Sequence, residues 1–270
     1  MRIGLFGTGR VATALVPALA AAGHELTFVA GRTPAPTLDL AALSPGSQAL
    51  ALPLAQPLPA ADLYLLAVPD AAVPTLLAAV VWPAGALVAH LAGALPVAVF
   101  TAVPQVRGGV LYPPQTFSAG RPIDWPAVPL FVEALDADAE AALLALARSL
   151  SQRVALLDSA QRLRLHLGAV FASNFTNHVL GIAHQLLAEA GLDFKLLAPL
   201  VRETVDKALG AQPGPFAVQT GPAARHDAPT LAAHAAALVA HPAWQALYTQ
   251  LTQSIQAAEA AAVARPPSPA

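Results

Sequence analysis

The feature that most constrains the fold of this chain is a short glycine motif near its N-terminus. The motif, Gly7-Thr-Gly9-Arg-Val-Ala12, follows the apolar run 2–6 and precedes the alanine-rich segment 10–22. Strand, G-x-G-x-x-A loop and helix in this order are typical of the first unit of a dinucleotide-binding sheet. The first glycine forms the tight turn, the second lets the backbone approach a pyrophosphate, and the small third residue allows close packing. Free N–H groups at the helix start can then bind the anion.

The same stretch allows two other interpretations. One is a tight strand-to-helix turn that binds nothing. The other is a secretory signal peptide, because a charged N-terminus, an apolar run and A-x-A occur together. The signal peptide is disfavoured, since Gly7 and Gly9 interrupt the apolar run, Arg10 places a charge in its middle, and cleavage would remove a central strand. We therefore expect the stretch up to Arg32 to be one phosphate-binding unit.

Beyond the glycine motif, strand-like apolar runs alternate with helix-like segments as far as residue 157. The predicted strands are 2–6, 25–30, 62–68, 86–91, 128–134 and 153–157, and the predicted helices between them include 10–22, 71–80 and 136–150. This alternation predicts an α/β fold with a Rossmann-type doubly wound parallel sheet.

After residue 157 the strand-like runs disappear. The remaining predicted elements are helices at 159–190, 194–209, 227–240 and 244–262. We therefore expect a Rossmann dinucleotide-binding domain at 1–157, an all-α C-terminal domain at 158–263, and a disordered tail at 264–270.

Composition excludes several classes of protein. Charged residues make up 11% of the chain and hydrophobic residues 56%, against about 25% charged in an average soluble domain, so we expect a buried subunit interface. The net charge of −2 gives no basic face for nucleic acid and no polybasic membrane anchor. Prolines interrupt the apolar stretch 71–103, so no transmembrane segment is predicted. Zero cysteines exclude thiolate chemistry and are compatible with the cytoplasmic location that we expect.

The end of the second predicted strand indicates which dinucleotide binds. An NAD-binding sheet usually carries an acidic residue here for the ribose 2′-hydroxyl. In this chain Gly31 stands near that position, Arg32 and Thr33 follow, and the nearest downstream acid is Asp39. A guanidinium forms strong bidentate contacts with phosphate. We therefore predict NADP rather than NAD, with an exposed loop arginine as the alternative role of Arg32.

The predicted strand 62–68 ends in Val68-Pro69-Asp70, at the sheet end where cofactors lie. We expect its backbone to line the dinucleotide and Asp70 to act as the N-cap of the next helix. The predicted cofactor-binding residues are therefore Gly7, Thr8, Gly9, Arg10, Val11, Arg32, Thr33, Val68 and Pro69.

The long helix predicted at 159–190 carries a polar but nearly uncharged stripe. At 100° per residue, Ser173, Asn174 and Asn177 lie within about 80° of His166, and large apolar residues lie opposite. A solvent-facing helix usually carries lysine and glutamate there. The stripe therefore indicates either a wet, ligand-binding cleft or a buried helix whose polar groups bond to neighbouring elements.

Four stretches match one family in the expected order: IGLFGTGRVATAL, LLAVPD, PPQTF, and LHLGAVFASNF followed by TGPAARHDAPTLAAH. Through them the chain resembles the bacterial Rossmann-like proteins that carry a C-terminal domain of unknown function, number 2520. The resemblance implies an NADP-dependent oxidoreductase, similar in build to β-hydroxyacid dehydrogenases, pyrroline-carboxylate reductases and ketopantoate reductases. It also implies that the helical domain forms a homodimer and that an active cleft lies between the domains. It supplies no substrate.

Two departures from related proteins bear on catalysis. Where the family commonly has His-Pro before Gln-Thr-Phe, this chain has Tyr112 before two prolines, so a phenol replaces an imidazole. Hydroxyacid dehydrogenases use a lysine one turn before an asparagine; Asn174 matches the asparagine, but Val170 stands at the lysine position. His166, two turns before Asn174, is the remaining candidate proton donor, because an imidazole exchanges protons near neutral pH.

A second polar cluster follows at residues 220–227. Arg225 could hold a substrate carboxylate or could pair with Asp227, and Asp227 before Ala-Pro-Thr is a good helix N-cap. The histidines of this region lack partners at ligand spacing, so no metal site is predicted.

The sequence thus predicts an NADP-dependent oxidoreductase that passes hydride between the nicotinamide and a small carbonyl or imine, and substrates with a carboxylate are included. His166 would donate the proton and Asn174 would orient the substrate; the predicted substrate-binding residues are Gln115, Thr116, Ser173, Asn177 and Arg225. An NADP-binding sensor or scaffold without turnover is the main alternative. A third, an enzyme that uses a deazaflavin beside NADP, rests on fold similarity alone.

Overall fold

The computed structural model describes residues 1–55 and 57–263. The chain forms two compact units, which are described separately: unit 1 comprises Met1–Phe175, and unit 2 begins at Thr176. The tail predicted to be disordered, 264–270, lies outside the described residues. Among the described helices, none combines the length and apolar character that crossing a bilayer requires.

Unit 1 is built on one sheet of eight strands. The strands are β1 (Arg2–Phe6), β2 (Glu25–Gly31), β3 (Gln48–Ala51), β4 (Leu63–Leu66), β5 (Ala86–His90), β6 (Val106–Tyr112), β7 (Leu130–Ala134) and β8 (Val154–Leu156). They are ordered β3-β2-β1-β4-β5-β6-β7-β8. This order, with β1 at the centre and crossovers to either side, confirms the Rossmann-type doubly wound fold.

One strand pair departs from the parallel arrangement of the predicted sheet. β1 to β6 run parallel, but β7 is antiparallel to β6, and β8 then runs parallel to β7. A parallel connection needs a crossover, usually a helix. The proline-rich segment 113–129 contains one short 3₁₀ turn, Trp125–Ala127, and it returns the chain as a simple reversal.

Helices cover both faces of the sheet. They are α1 (Arg10–Ala21), α2 (Pro34–Ala41), α3 (Val73–Ala79), α4 (Ala137–Leu150) and α5 (Ser159–Ala169). Alternate strand residues feed two apolar clusters: Leu5 packs with α1 and α4, whereas Phe6 packs with α3 and an aromatic group that includes Phe28 and Trp82. The predicted strands, α1 and α4 are present, but α2, β3 and β6 were not predicted.

α5 continues through a π-helical segment, Val170–Phe175, directly into α6 of unit 2. The helical span 159–189 therefore matches the long helix that the sequence predicts. Single π turns inside helices often occur at functional sites, and this one lies among the polar residues of the predicted stripe.

Among the described residues of unit 2, all regular secondary structure is helical. Its helices are α6 (Thr176–Glu189), α7 (Ala198–Gly210), α8 (Ala228–Ala237) and α9 (Pro242–Val263). His234 Nδ1 on α8 lies 2.8 Å from the Tyr248 hydroxyl on α9, and His241 Nε2 lies 2.9 Å from the Glu189 carboxylate on α6.

The boundary between the two compact units lies after Phe175, further along the chain than the predicted domain boundary at 157. The last strand ends at Leu156, next to the predicted boundary at 157, but unit 1 continues to Phe175. α5 belongs to unit 1 because its residues bind the sheet: the Ser159 hydroxyl donates to Glu133 of β7, and Arg162 forms a buried ion pair with the same carboxylate. A functional boundary at 157 stays a prediction.

Candidate functional site

One cavity of unit 1 lies at the carboxyl ends of β1, β2 and β4. It has a volume of about 810 Å³. Seven of the nine predicted cofactor-binding residues line it: Gly7, Thr8, Gly9, Arg32, Thr33, Val68 and Pro69. Arg10 is exposed in the first turn of α1, and Val11 lines a second, smaller cavity.

The two glycines of the motif are required for different reasons. Gly7 has a φ of +107°, and a Cβ there would lie 2.2 Å from the carbonyl oxygen of Ala67. Gly9 is the N-cap of α1 with an ordinary φ of −78°, and a Cβ there would meet no atom within 4 Å. Gly7 is therefore needed by the protein itself, whereas the space beside Gly9 is left for a ligand.

The start of α1 fits an anion. No side chain caps its first N–H groups, and its first turn contains no acidic residue. Backbone N–H groups at a helix start bind phosphate well because the helix dipole adds positive charge there. The residues present therefore fit the pyrophosphate of a dinucleotide.

At the end of β2, Gly31 stands near the position where NAD-binding sheets carry an acidic residue, and the structure leaves no room there for a side chain. A Cβ on Gly31 would lie 2.2 Å from the Thr37 hydroxyl oxygen and 2.9 Å from the methyl carbon of Thr8. Arg32 and Thr33 follow and are exposed at the cavity. The cavity thus offers a guanidinium and a hydroxyl where a carboxylate would otherwise bind a ribose.

A second cavity, of about 480 Å³, lies beside the carboxyl ends of β5 and β6, against α5 and the π segment. It brings together residues that are far apart in the sequence. The predicted site residues that line it are Val11, Gln115, Thr116, His166, Ser173 and Asn174.

The predicted N-cap role of Asp70 was wrong. Asp70 begins a 3₁₀ turn, Asp70–Ala72, whose N-cap is Pro69, and the N-cap of α3 is Ala72. Asp70 instead is exposed and lines the second cavity. Among the described residues that line this cavity, it is the single carboxylate, and none is lysine or arginine.

His166 is held by Tyr112 at the wall of the second cavity. The Tyr112 hydroxyl oxygen lies 3.0 Å from His166 Nδ1, and the two rings meet edge to face at 77°. Gly93 permits this arrangement, because a Cβ there would lie 2.5 Å from His166 Nδ1 and 2.9 Å from Tyr112 Cε2. Burial raises the pKa of Tyr112, although the charge of Arg162 opposes the rise.

Arg162 fixes α5 one turn before His166. Its side chain is 1% exposed, pairs with the Glu133 carboxylate and donates to the Leu95 carbonyl. Burial lowers the pKa of Arg162, and the Glu133 carboxylate opposes that change. The same positive charge lies near His90, whose pKa burial and Arg162 together lower to about 3.

The remaining predicted residues belong to unit 2. Asn177 on α6 and Arg225 before α8 are both exposed. The Asp227 carboxylate accepts from the Thr230 N–H at 3.3 Å and the Thr230 hydroxyl at 2.8 Å, so its predicted N-cap role is confirmed. Arg225 has no ion-pair partner among the described residues of unit 2, and no group of three metal-ligating side chains occurs in the described chain.

Comparison with known proteins covers both parts of the chain. Residues 1–112 match the Rossmann-like domain, and residues 128–255 match the domain of unknown function DUF2520. A solved structure from Bacteroides fragilis, described as a putative NADP oxidoreductase, is 36% identical to this chain. The match covers 94% of this chain and 97% of that one, with a TM-score of 0.84. The chain belongs to the Rossmann-like family with a C-terminal DUF2520 domain.

Two more distant structures share the fold of this DUF2520 protein. A protein from Thermotoga maritima is 18% identical, with a TM-score of 0.69 over 97% of this chain and 99% of that one. A reductive aminase from Aspergillus terreus, solved with NADPH and ethyl-5-oxohexanoate, is also 18% identical, with a TM-score of 0.65 over 97% and 93%. No curated protein is significantly similar in sequence.

Three residues of the DUF2520 protein's site were not predicted from its sequence. Gly93 and Arg162 carry no local pattern that marks them, because each is defined by contacts with residues far away in the chain. Tyr112 was noted as a departure from the family but was given no role. Its position directly before Pro113 and Pro114, at the end of a strand, is the one sequence feature that could have placed it in the site.

Proposed function

We propose that this DUF2520 protein is an NADP(H)-dependent oxidoreductase that transfers hydride between the nicotinamide and a small carbonyl or imine substrate. The observation that carries the proposal is the end of β2, where Gly31 has no room for a side chain and Arg32 lies at the cavity. This arrangement favours a 2′-phosphate over a free ribose hydroxyl. The description of the Bacteroides relative as a putative NADP oxidoreductase supports the same cofactor.

The first cavity would hold the cofactor through its backbone and one cation. Gly7, Thr8 and Gly9 would contact the pyrophosphate together with the first N–H groups of α1, which Arg10 and Val11 begin. Arg32 and Thr33 would contact the 2′-phosphate, and Val68 and Pro69 would line the dinucleotide. Bound NADPH supplies the hydride, so the protein must supply orientation and a proton.

The second cavity would hold the substrate. His166 would donate a proton to the carbonyl oxygen or imine nitrogen, and Asn174 would orient that atom. Ser173, Gln115 and Thr116 offer further neutral hydrogen-bonding groups. Asn177 and Arg225 of unit 2 stay predicted substrate-binding residues.

The charge of the second cavity bears on the substrate class. Asp70 favours a neutral or cationic substrate such as an imine, whereas the predicted role of Arg225 favours a substrate with a carboxylate. A panel of cyclic imines and 2-keto acids, tested with wild type and Arg225→Ala, separates the two. A loss confined to the keto acids would assign Arg225 to the substrate carboxylate.

The central experiment is His166→Ala. We expect NADPH to bind as in wild type, by its fluorescence, while NADPH oxidation with the active substrate falls by about 10²- to 10⁴-fold, the range for a general acid. His178→Ala, which removes an exposed histidine of α6, is the matched control and should leave both unchanged. Normal turnover in His166→Ala would show that His166 is not the proton donor.

An NADP-binding sensor without turnover is the second candidate. Val170, which lines the second cavity at the lysine position of hydroxyacid dehydrogenases, favours it. A sensor would bind NADPH with the same dependence on Arg32 but would oxidise none with any member of the substrate panel. The absence of even a single turnover at high protein concentration would therefore favour the sensor.

We also propose that a second copy of this chain covers α5. Leu163 and Leu167 on α5 and Phe175 in the π segment after it are each at least half exposed and lie at intervals of four and eight residues. Monomeric proteins rarely expose contiguous apolar patches of this kind. A stripe along one helix can pack on its own copy through a two-fold axis, as most homodimers do.

A cytoplasmic location is also part of the proposal, because NADPH is supplied inside cells.

A further inference from the structure

We infer that Tyr112 is a positioning residue that directs the proton of His166 to Nε2, and that it relays its own proton through the imidazole. The inference rests on the proposed function, since it concerns the same second cavity. Its geometric basis is the 3.0 Å contact between the Tyr112 hydroxyl oxygen and His166 Nδ1.

The direction of this hydrogen bond follows from what the Tyr112 hydroxyl can reach. Tyr112 is 5% exposed, and no other hydrogen-bond partner of its hydroxyl occurs among the described residues. A buried O–H group requires an acceptor. Burial also raises the pKa of Tyr112, so the phenol keeps its proton at neutral pH. We therefore assign His166 Nδ1 as the acceptor, which leaves the imidazole proton on Nε2.

The nitrogen that remains for the substrate is therefore Nε2. No described residue hydrogen-bonds to Nε2, while the ring itself lines the second cavity. Gly93 leaves room for the rings of Tyr112 and His166, because a side chain at this position would displace both rings. The imidazole thus has one nitrogen fixed by the protein and the other available to a ligand.

The proton balance of a reduction follows from this chain. When the hydride reaches the substrate carbon, the C=O or C=N bond pair moves to oxygen or nitrogen. That atom takes the proton from Nε2, and Nδ1 takes the proton from the Tyr112 hydroxyl, so the charge of the imidazole does not change. The negative charge ends on the Tyr112 oxygen until water returns a proton; burial and the Asp70 carboxylate oppose that charge, and the positive charge of Arg162 favours it.

The test compares Tyr112→Phe with Tyr64→Phe. Tyr64 is 2% exposed and also loses a buried hydroxyl contact, to the Pro59 carbonyl at 3.2 Å, but it does not line the second cavity. Two-bond ¹H–¹⁵N spectra of the full chain report which histidine nitrogen carries the proton, and His166→Gln assigns the His166 signals. Both phenylalanine variants keep the ring, so circular dichroism should report a native fold.

We expect wild type and Tyr64→Phe to show the His166 proton on Nε2, and Tyr112→Phe to show a mixture of both tautomers. Tyr112→Phe should also lower kcat by about 10- to 100-fold while the KM and the Kd of NADPH stay within twofold. A wild-type proton on Nδ1, or a Tyr112→Phe spectrum identical to wild type, would overturn the inference. The spectra decide it even if no substrate is turned over, which would count against the proposed function alone.

Discussion

The carbonyl oxygen of Ala67 occupies the space that a side chain at Gly7 would need, since a Cβ there would lie 2.2 Å away. The φ of +107° at Gly7 adds strain for any other residue. Gly7→Ala should therefore lower the free energy of unfolding by at least about 1–3 kcal/mol, the cost of the backbone strain alone. Urea unfolding followed by circular dichroism measures this. An unchanged midpoint would show that the loop relaxes without cost.

Gly9→Ala is the matched control for Gly7→Ala, and we expect it to affect NADPH binding rather than stability. No atom lies within 4 Å of a Cβ at Gly9, and its φ is ordinary. The urea midpoint should therefore stay at the wild-type value. The added methyl group would lie where the pyrophosphate approaches the backbone, so the Kd of NADPH should rise by about tenfold or more. Unchanged NADPH binding would place the pyrophosphate elsewhere.

Arg32→Ala tests the choice of cofactor. The loss of a hydrogen bond to a charged group costs about 1.5–3 kcal/mol, so NADPH should bind roughly 10- to 150-fold more weakly while NADH changes little. Fluorescence titration with both cofactors measures the difference. Arg148→Ala removes an exposed arginine of α4 outside both cavities and should change neither. Equal losses for NADPH and NADH would refute the 2′-phosphate assignment.

His90 predicts a loss of stability in mild acid. Its pKa is lowered from 6.5 to about 3 by burial and by Arg162, so the unfolded chain binds a proton that the folded chain does not. The free energy of unfolding must therefore fall as the pH drops below 6.5, by about 2 kcal/mol at pH 5, and must continue to fall towards pH 3.

His90→Gln removes this titration, so its loss of stability between pH 7 and pH 5 should be smaller than that of wild type. Urea unfolding at the two pH values gives the comparison, and only the difference between them counts, since the substitution itself perturbs the core. His178→Gln, at an exposed position, should keep the wild-type decline. A decline in His90→Gln equal to that of wild type would contradict the role of His90.

Leu167→Glu tests the proposed homodimer. Leu167 is 55% exposed in the middle of the apolar stripe on α5, and a buried unpaired charge at an interface is costly. We expect the variant to elute as a monomer in size-exclusion chromatography with light scattering, under conditions in which wild type is a dimer. Leu38→Glu places the same charge on α2, where Leu38 is 59% exposed, and should remain dimeric. A monomeric wild type would end the proposal.

Features with a local cause were predictable from the sequence. The glycine loop, β1, β2 and α4 follow from short-range patterns, and the Asp227 cap follows from the four residues Asp-Ala-Pro-Thr. The cofactor preference was also local, because Gly31 and Arg32 are adjacent in the chain.

Features that depend on distant contacts were not predictable in this way. β6 contains Gly108 and Gly109, which weaken any strand pattern, yet Cβ atoms there would lie 2.3 Å from Phe100 and Leu143. The requirement for glycine at positions 108 and 109 is therefore clear only once the positions of Phe100 and Leu143 are known. The pair of Tyr112 and His166 likewise joins residues 54 positions apart.

The reversed polarity of β7 decides in which direction α5 approaches the site. β8 is parallel to β7, so the chain leaves β8 in the direction of the amino end of β6. α5 then begins at Ser159, which contacts Glu133 of β7. Glu133 in turn pairs with Val110 of β6. From there the helix rises about 10 Å in the seven residues to His166, which reaches Tyr112 at the carboxyl end of β6. If β7 and β8 ran parallel to β6, α5 would begin at the carboxyl end of β6. His166 would then lie beyond Tyr112 and could not contact it.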